Sequence, residues 1–149
     1  MQVWRLVAGR HAASAMSGEG AAAFGGRWNP PGRRMVYTAE SLALATLELS
    51  VHITGGRVKY VAIQFDVPDH LVDVLDPAGL KRTWATSEVG TRRVGEAWLD
   101  SRRSLALTVP SALVDARSGE RNVLLNPGHP GATQLRELQR FDVVLDERL

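Results

Sequence analysis

The chain has 149 residues, enough for one domain with a real core. Apolar content of 44% and charged content of 23% are ordinary for a globular protein, and 18 basic against 16 acidic side chains leave a formal charge of only +2, too little to mark a nucleic-acid binder. There is no Cys, which excludes disulfides, thiolate metal sites and a thiol nucleophile. Met1 to Arg5 carry no apolar stretch of signal-peptide length, and the longest apolar run, Leu42 to Ile53, is broken by Thr46, Glu48, Ser50 and His52. The expectation is a soluble cytoplasmic protein with no membrane segment.

Gln2 to Val7 predicts an opening strand. Residues 8–34, rich in Gly, Ala and Arg, read as a long functional loop with a turn of helix near Ala21. Met35-Val36-Tyr37 reads as a short buried strand, with Thr38 as N-cap of a helix over 39–53 that Thr54-Gly55-Gly56 ends. Val58 to Val67 predicts a strand with Val61, Ile63, Phe65 and Val67 on one face, and Leu71 to Leu75 another. After a loop at 76–85, Thr86 or Ser87 caps a helix running to about Asp100. Ser104 to Val109 is a strand stopped by Pro110, and Asn122 to Leu125 one stopped by Asn126-Pro127. A short helix is predicted over Gln134 to Gln139, and a last strand over Phe141 to Leu145. Short strands around a few helices, without βαβ alternation, give an α+β class. No repeat or linker divides residues 1–149, so a single domain is expected.

Chemistry concentrates first in Gly25-Gly26-Arg27-Trp28-Asn29-Pro30-Pro31-Gly32. Two glycines free the backbone for positive φ or close approach, an Arg fork suits phosphate or carboxylate, and a Trp offers a flat surface for a ring. The loop reads as a binding loop for an anionic, aromatic ligand such as a nucleotide. Glu48 is the best single candidate for catalysis. At helical spacing its neighbours are Leu44, Ala45 and Val51, so it sits on an apolar face. A carboxylate there serves chemistry or one specific ion pair, or snorkels at the edge of the face. Arg27 is the natural counter-charge to Glu48 or to a ligand phosphate. Tyr37 either stacks on a ring or is a core aromatic with a satisfied hydroxyl. Ser111, after Val109-Pro110, is a ligand donor, a nucleophile or a turn residue, and nothing near it resembles a nucleophile elbow. His129, in the turn cluster Asn126-Pro127-Gly128-His129-Pro130, is a candidate base or a plain loop residue. The four histidines lack metal-ligand spacing, no P-loop is present, and the Arg doublets at 33–34, 92–93 and 102–103 read as solvated faces.

Together these pieces resemble the RES domain family of bacterial toxins, named for an Arg, a Glu and a Ser. The Arg27 loop resembles the family's Arg motif. Val36-Tyr37-Thr38-Ala39-Glu40-Ser41, continuing through Glu48 to His52, resembles its Glu-bearing helix, and Val109-Pro110-Ser111 its Ser motif. Asn122 to Pro127 with His129-Pro130, and Phe141-Asp142 through Leu149, also match, in order; the resemblance is weakest over 76–103. It implies an ADP-ribosyltransferase-like fold, with short mixed or antiparallel strands around a central cleft. It also implies the toxin of a type II toxin–antitoxin pair that depletes NAD+ by cleaving the nicotinamide–ribose bond. NAD+ is then a substrate, and no cofactor or metal is expected. The implied partner is an antitoxin with an Xre-like helix-turn-helix domain whose C-terminal part blocks the active site; homodimers capped by antitoxins are what the family suggests. Glu48, Arg27 and Ser111 carry over as catalytic residues. Arg27, Tyr37, Trp28, Asn29, Ser111 and Asn126 carry over as dinucleotide contacts or their supports. The rival readings are transfer of ADP-ribose to a macromolecular or nucleotide acceptor, a non-enzymatic module whose Arg doublets bind nucleic acid or an acidic partner, and a stand-alone RES-like domain without antitoxin.

Overall fold

In the computed structural model, which describes residues 1–52 and 58–146, one sheet organises the chain. Its strands are β1 (Gln2–Ala8), β2 (Val36–Ala39), β3 (Tyr60–Asp66), β4 (Val72–Val74), β5 (Ala106–Pro110), β6 (Arg121–Leu125) and β7 (Arg136–Val143). The spatial order is β4-β5-β6-β2-β1-β3-β7, antiparallel except for the parallel β4–β5 pair. Three helices accompany it: α1 (Glu19–Phe24), α2 (Leu42–Ser50) and α3 (Glu88–Ser101). This is the expected mixed α+β architecture.

Strand periodicity divides the core into two layers. On one face, Val3, Val7, Val36, Ile63, Phe65, Val123 and Leu125 form a cluster covered by Ala12, Met16, Leu71, Ala132 and Leu135 from irregular segments. The other face is covered in two parts. The loop around Trp28 and helix α3 bury Leu107, Val109 and Leu124. Helix α2 buries Leu6, Ala39, Tyr60 and Ala62 through Leu44 and Ala45. Strand β3, between β1 and β7, therefore buries both of its faces, where the sequence pattern pointed to one.

Several predicted boundaries move for identifiable reasons. Thr38 is not a helix cap: it lies in β2, opposite Val123, and its hydroxyl donates to the Val123 carbonyl at 2.7 Å. Ser41 caps α2 instead, its Oγ accepting from the Leu44 N–H at 3.0 Å. The predicted terminator of that helix, Thr54-Gly55-Gly56, lies outside the described residues. Pro110 closes β5 from within the strand. The helix expected over 134–139 is absent: its place is taken by a 3-10 turn, Pro130–Gln134, and by the start of β7. There β3 offers a free edge, Gln139 Nε2 donates to Gln64 Oε1 at 2.6 Å, and Phe141 meets Trp4 edge-on at 5.9 Å. These tertiary contacts override the helical propensity of Leu135-Arg136-Glu137-Leu138.

Candidate active site

Glu48 lies in the last turn of α2. Leu44 and Ala45, one turn before it, are buried, whereas Val51 is exposed, so the carboxylate leaves the helix at the boundary of its buried stripe. Two side chains from the sheet meet it. Ser111 Oγ donates to Glu48 Oε1 at 2.7 Å, and Asn122 Nδ2 donates to the same oxygen at 2.6 Å. Ser111 is itself oriented, because its Oγ accepts the Leu113 N–H at 3.0 Å. Its hydroxyl proton is directed at the carboxylate, which makes Ser111 a holder of Glu48. Both donors load one carboxylate oxygen, and Glu48 Oε2 has no protein partner among the described residues. Asn122 was not singled out by the sequence; an Asn opening an apolar strand carries no distinguishing local signal.

The Arg27 loop is built around Tyr37 and Asn29. Gly25 takes a left-handed φ of +73°, and Gly26 packs so closely that a Cβ would lie 2.5 Å from the Tyr37 hydroxyl. That hydroxyl accepts from the Trp28 N–H at 2.9 Å and donates to Asn29 Oδ1 at 2.7 Å. Burial pushes the phenol up to about 12, against the opposing pull of the backbone N–H groups of Trp28 and Asn29. Asn29, fully buried, donates its amide to the carbonyls of Ala21, Pro30 and Arg33. Trp28 is buried against Trp98, Leu99 and Leu107, with its ring 6.3 Å from that of Trp84. Tyr37, Trp28 and Asn29 therefore shape the loop. Arg27 is left half-buried, with its guanidinium donating to the Trp84 carbonyl at 3.1 Å. No hydrogen bond or ion pair joins Arg27 to Glu48 among the described residues, so the direct pairing weighed from sequence is not made.

The sheet register brings the two halves onto one face. Tyr37 is paired with Leu124, and Ala39 with Asn122. Asn122 is therefore the diagonal neighbour of Tyr37, roughly 7–8 Å away on the same side of the sheet. The tyrosine that sets the Arg27 loop and the asparagine that holds Glu48 thus lie two rungs apart, on one face of the β2–β6 ladder.

Arg5, on β1, adds a group that the sequence reading missed. Its Nη1 donates to the Tyr37 carbonyl at 2.6 Å, while its buried Nε has no partner. No carboxylate pairs with it among the described residues. Burial pushes the guanidinium down to about 10, which leaves it charged at neutral pH. A largely buried cation whose one hydrogen bond among the described residues is to a neutral carbonyl is costly and is suited to an incoming anion. Its signal in the sequence is a lone charge inside the apolar run Val3 to Val7.

Other expected residues lie elsewhere. Asn126 follows the far end of β6 from Asn122, where its Oδ1 accepts the Gly128 N–H at 3.0 Å. It lines an apolar hollow of about 290 Å³ with Met16, Val36 and Leu105, and a polar one of about 380 Å³ with Arg33, Arg34 and Arg102. Neither hollow includes Glu48 or Arg27. His129 caps the 3-10 turn after it, Nδ1 accepting from the Gly131 N–H. Arg33 pairs with Asp100 and Glu96, Arg92 with Glu88, and Arg103 with Asp73. Among the described residues, no group of His, Asp or Glu has the geometry to hold a metal ion, and no helix is long and apolar enough to cross a membrane.

Comparison with known proteins identifies the family. The family model described as RES domain matches residues 2–146. A protein of Yersinia enterocolitica named Toxin Res is 36% identical over 154 residues, covering 100% of this chain and 99% of its own length. A protein of a Sphingobium species named Prs ADP-ribosylating toxin is also 36% identical, over 98% of this chain and 94% of its own. Among solved structures, the crystal structure of the M. tuberculosis MbcT–MbcA toxin–antitoxin complex contains a chain that superposes with a TM-score of 0.77. It covers 96% of this chain and 84% of its own, at 24% identity, which is a likeness of fold.

Proposed function

The chain belongs to the RES domain family of enzymatic toxins, and on that premise we propose that it is the toxin of a toxin–antitoxin system and cleaves the nicotinamide–ribose bond of NAD+. The observation that carries the chemistry is the loading of Glu48. Two donors fill Oε1, which fixes the side chain, and Oε2, without a partner among the described residues, is left for a ligand. Breaking the glycosidic bond sends its electron pair to the pyridinium nitrogen, so nicotinamide leaves neutral and positive charge develops on the ribose. A preorganised carboxylate stabilises that charge and holds a ribose hydroxyl through its free oxygen. Water then adds to the sugar carbon and releases a proton, giving ADP-ribose.

The cations suit the other end of the dinucleotide. Arg27 leaves its loop as a fork donor, and Arg5 lies beneath the same strand that carries Tyr37. Either supplies charge-assisted hydrogen bonds to a pyrophosphate. Tyr37 supports the loop through a hydroxyl engaged on both sides, and its ring is proposed to stack on or orient the nicotinamide.

An antitoxin is the proposed partner. Exposed apolar side chains lie close in sequence to the site residues: Leu47 and Val51 on either side of Glu48, Leu113 after Ser111, and Phe24, 85% exposed, before the Arg27 loop. Such exposed apolar groups suit a covering polypeptide. A second reading of the chemistry has its own support in the Sphingobium relative, whose name describes ADP-ribosylation. The same cation would there be captured by an acceptor nucleophile instead of water. Incubation of the purified protein with NAD+, followed by mass spectrometry, decides. Free ADP-ribose with nicotinamide supports hydrolysis, nicotinamide with an ADP-ribosylated macromolecule supports transfer, and intact NAD+ under both conditions refutes the proposal.

A further inference from the structure

Helix α3 falls in the stretch with the weakest family resemblance, yet its buried side grips the Arg27 loop at three successive points. Thr91, fully buried, donates its Oγ1 proton to the Arg27 carbonyl at 2.5 Å. Arg92 donates Nε–H to the Gly26 carbonyl at 2.8 Å while its Nη2 pairs with Glu88 at 2.6 Å. One turn on, Gly95 lies against the Trp28 carbonyl, where a Cβ would sit 1.8 Å from the oxygen. The carbonyls of residues 26, 27 and 28 are thus met by residues 92, 91 and 95 of one helix, respectively. The turn leading into α3 provides the remaining contact, the Trp84 carbonyl that accepts from the Arg27 side chain.

We propose that Thr91 and Arg92 are positioning residues for the dinucleotide, acting through the main chain of Gly26 and Arg27 to fix the direction in which the Arg27 guanidinium points. A loop with two glycines and no ladder partner has many conformations of similar energy, and each donor removes part of that freedom. Neither side chain need touch the ligand. The effect belongs to binding, because an arginine that grips a pyrophosphate does so equally before and during bond cleavage. This role rests on the reading of the protein as an NAD+-cleaving enzyme.

The test compares Thr91→Val, which keeps the shape and loses the donor, with Thr91→Ser, which keeps the donor. Hydrogen exchange of the peptide spanning residues 24–34 is measured without NAD+, and kcat and KM for nicotinamide release are measured with it. In Thr91→Val the loop peptide exchanges about tenfold faster while peptides from β3 are unchanged, and KM rises about tenfold with kcat within about twofold. Thr91→Ser restores both readouts. Arg92→Lys, which cannot serve Gly26 and Glu88 together, gives an intermediate rise in KM. An unaltered exchange rate in Thr91→Val, or a fall in kcat at constant KM, overturns the role assigned to α3. A wild type inert toward NAD+ instead removes the enzymatic reading, and the exchange measurement still decides whether α3 holds the loop.

Discussion

Replacing Glu48 by Gln isolates the charge from the shape. The amide oxygen can keep accepting from Ser111 and Asn122, which contribute at 2.7 and 2.6 Å, and the NH2 group then occupies the position of Oε2. The neighbours Leu44 and Ala45 keep their packing, so stability should stay within about 1–2 kcal/mol of wild type, the difference between charged and neutral acceptors. The rate should not. A carboxylate about 4 Å from a developing ribose cation, at an effective dielectric of about 20 for a half-buried group, contributes roughly 4 kcal/mol. That corresponds to about a thousandfold in kcat. The assay is nicotinamide release from NAD+ at saturating substrate, with thermal unfolding as the control for folding. A variant that unfolds like wild type and turns over within tenfold of it would refute the electrostatic role of Glu48.

Asn122→Ala should lower kcat by about tenfold with little change in KM, because it frees the carboxylate to rotate while Ser111 still holds one bond; combined with Ser111→Ala, the loss should approach that of Glu48→Gln. Burial raises the Tyr37 phenol from 10.0 to about 12, so its contribution to stability is complete below pH 10 and is lost as pH rises through about 12. The denaturant midpoint of wild type should accordingly exceed that of Tyr37→Phe by a constant margin up to pH 10, and the margin should shrink above it; a margin that is flat to pH 12 would contradict the buried phenol. Arg5→Met removes a buried cation that has no carboxylate partner among the described residues, so stability should remain within about 1 kcal/mol of wild type while KM for NAD+ rises by about tenfold or more, and a large fall in melting temperature with unchanged KM would show that Arg5 is structural.

The sheet was largely legible because its strands carry period-two patterns that do not depend on neighbours. Gln2–Ala8, Tyr60–Asp66 and Arg121–Leu125 all fall where alternation or an apolar run placed them. What failed was the outcome of competition. Leu135 to Gln139 has helical residues, but the open edge of β3 pairs with them. Thr38 and Ser41 are equivalent as caps in sequence, and only the β2–β6 ladder, which holds Thr38 opposite Val123, decides between them. In the candidate site, Glu48 and Arg27 stood out because each is a charge in an unusual local setting. Asn122, Thr91 and Gly95 did not, since their importance lies in which distant carbonyl or carboxylate they meet.

The two halves of the site are held by different kinds of bond, and this bears on how they should respond to change. Glu48 is fixed side chain to side chain by Asn122, whose backbone is tied into the β5–β6 ladder, and by Ser111, the first residue after β5. The Arg27 loop is held through its carbonyls by α3 and through its N–H groups by Tyr37. Ladder backbones move little, so the acidic half is rigid before any ligand arrives, as stabilisation of developing charge requires. A loop held by a few side chains can yield, so the cationic half is able to admit a long dinucleotide and close on its phosphates. Substitutions around Glu48 should therefore register in kcat and those around Arg27 in KM. A protein laid over the exposed apolar groups near the site would therefore inhibit by excluding the dinucleotide from the Arg27 loop, since the carboxylate has little freedom left to lose.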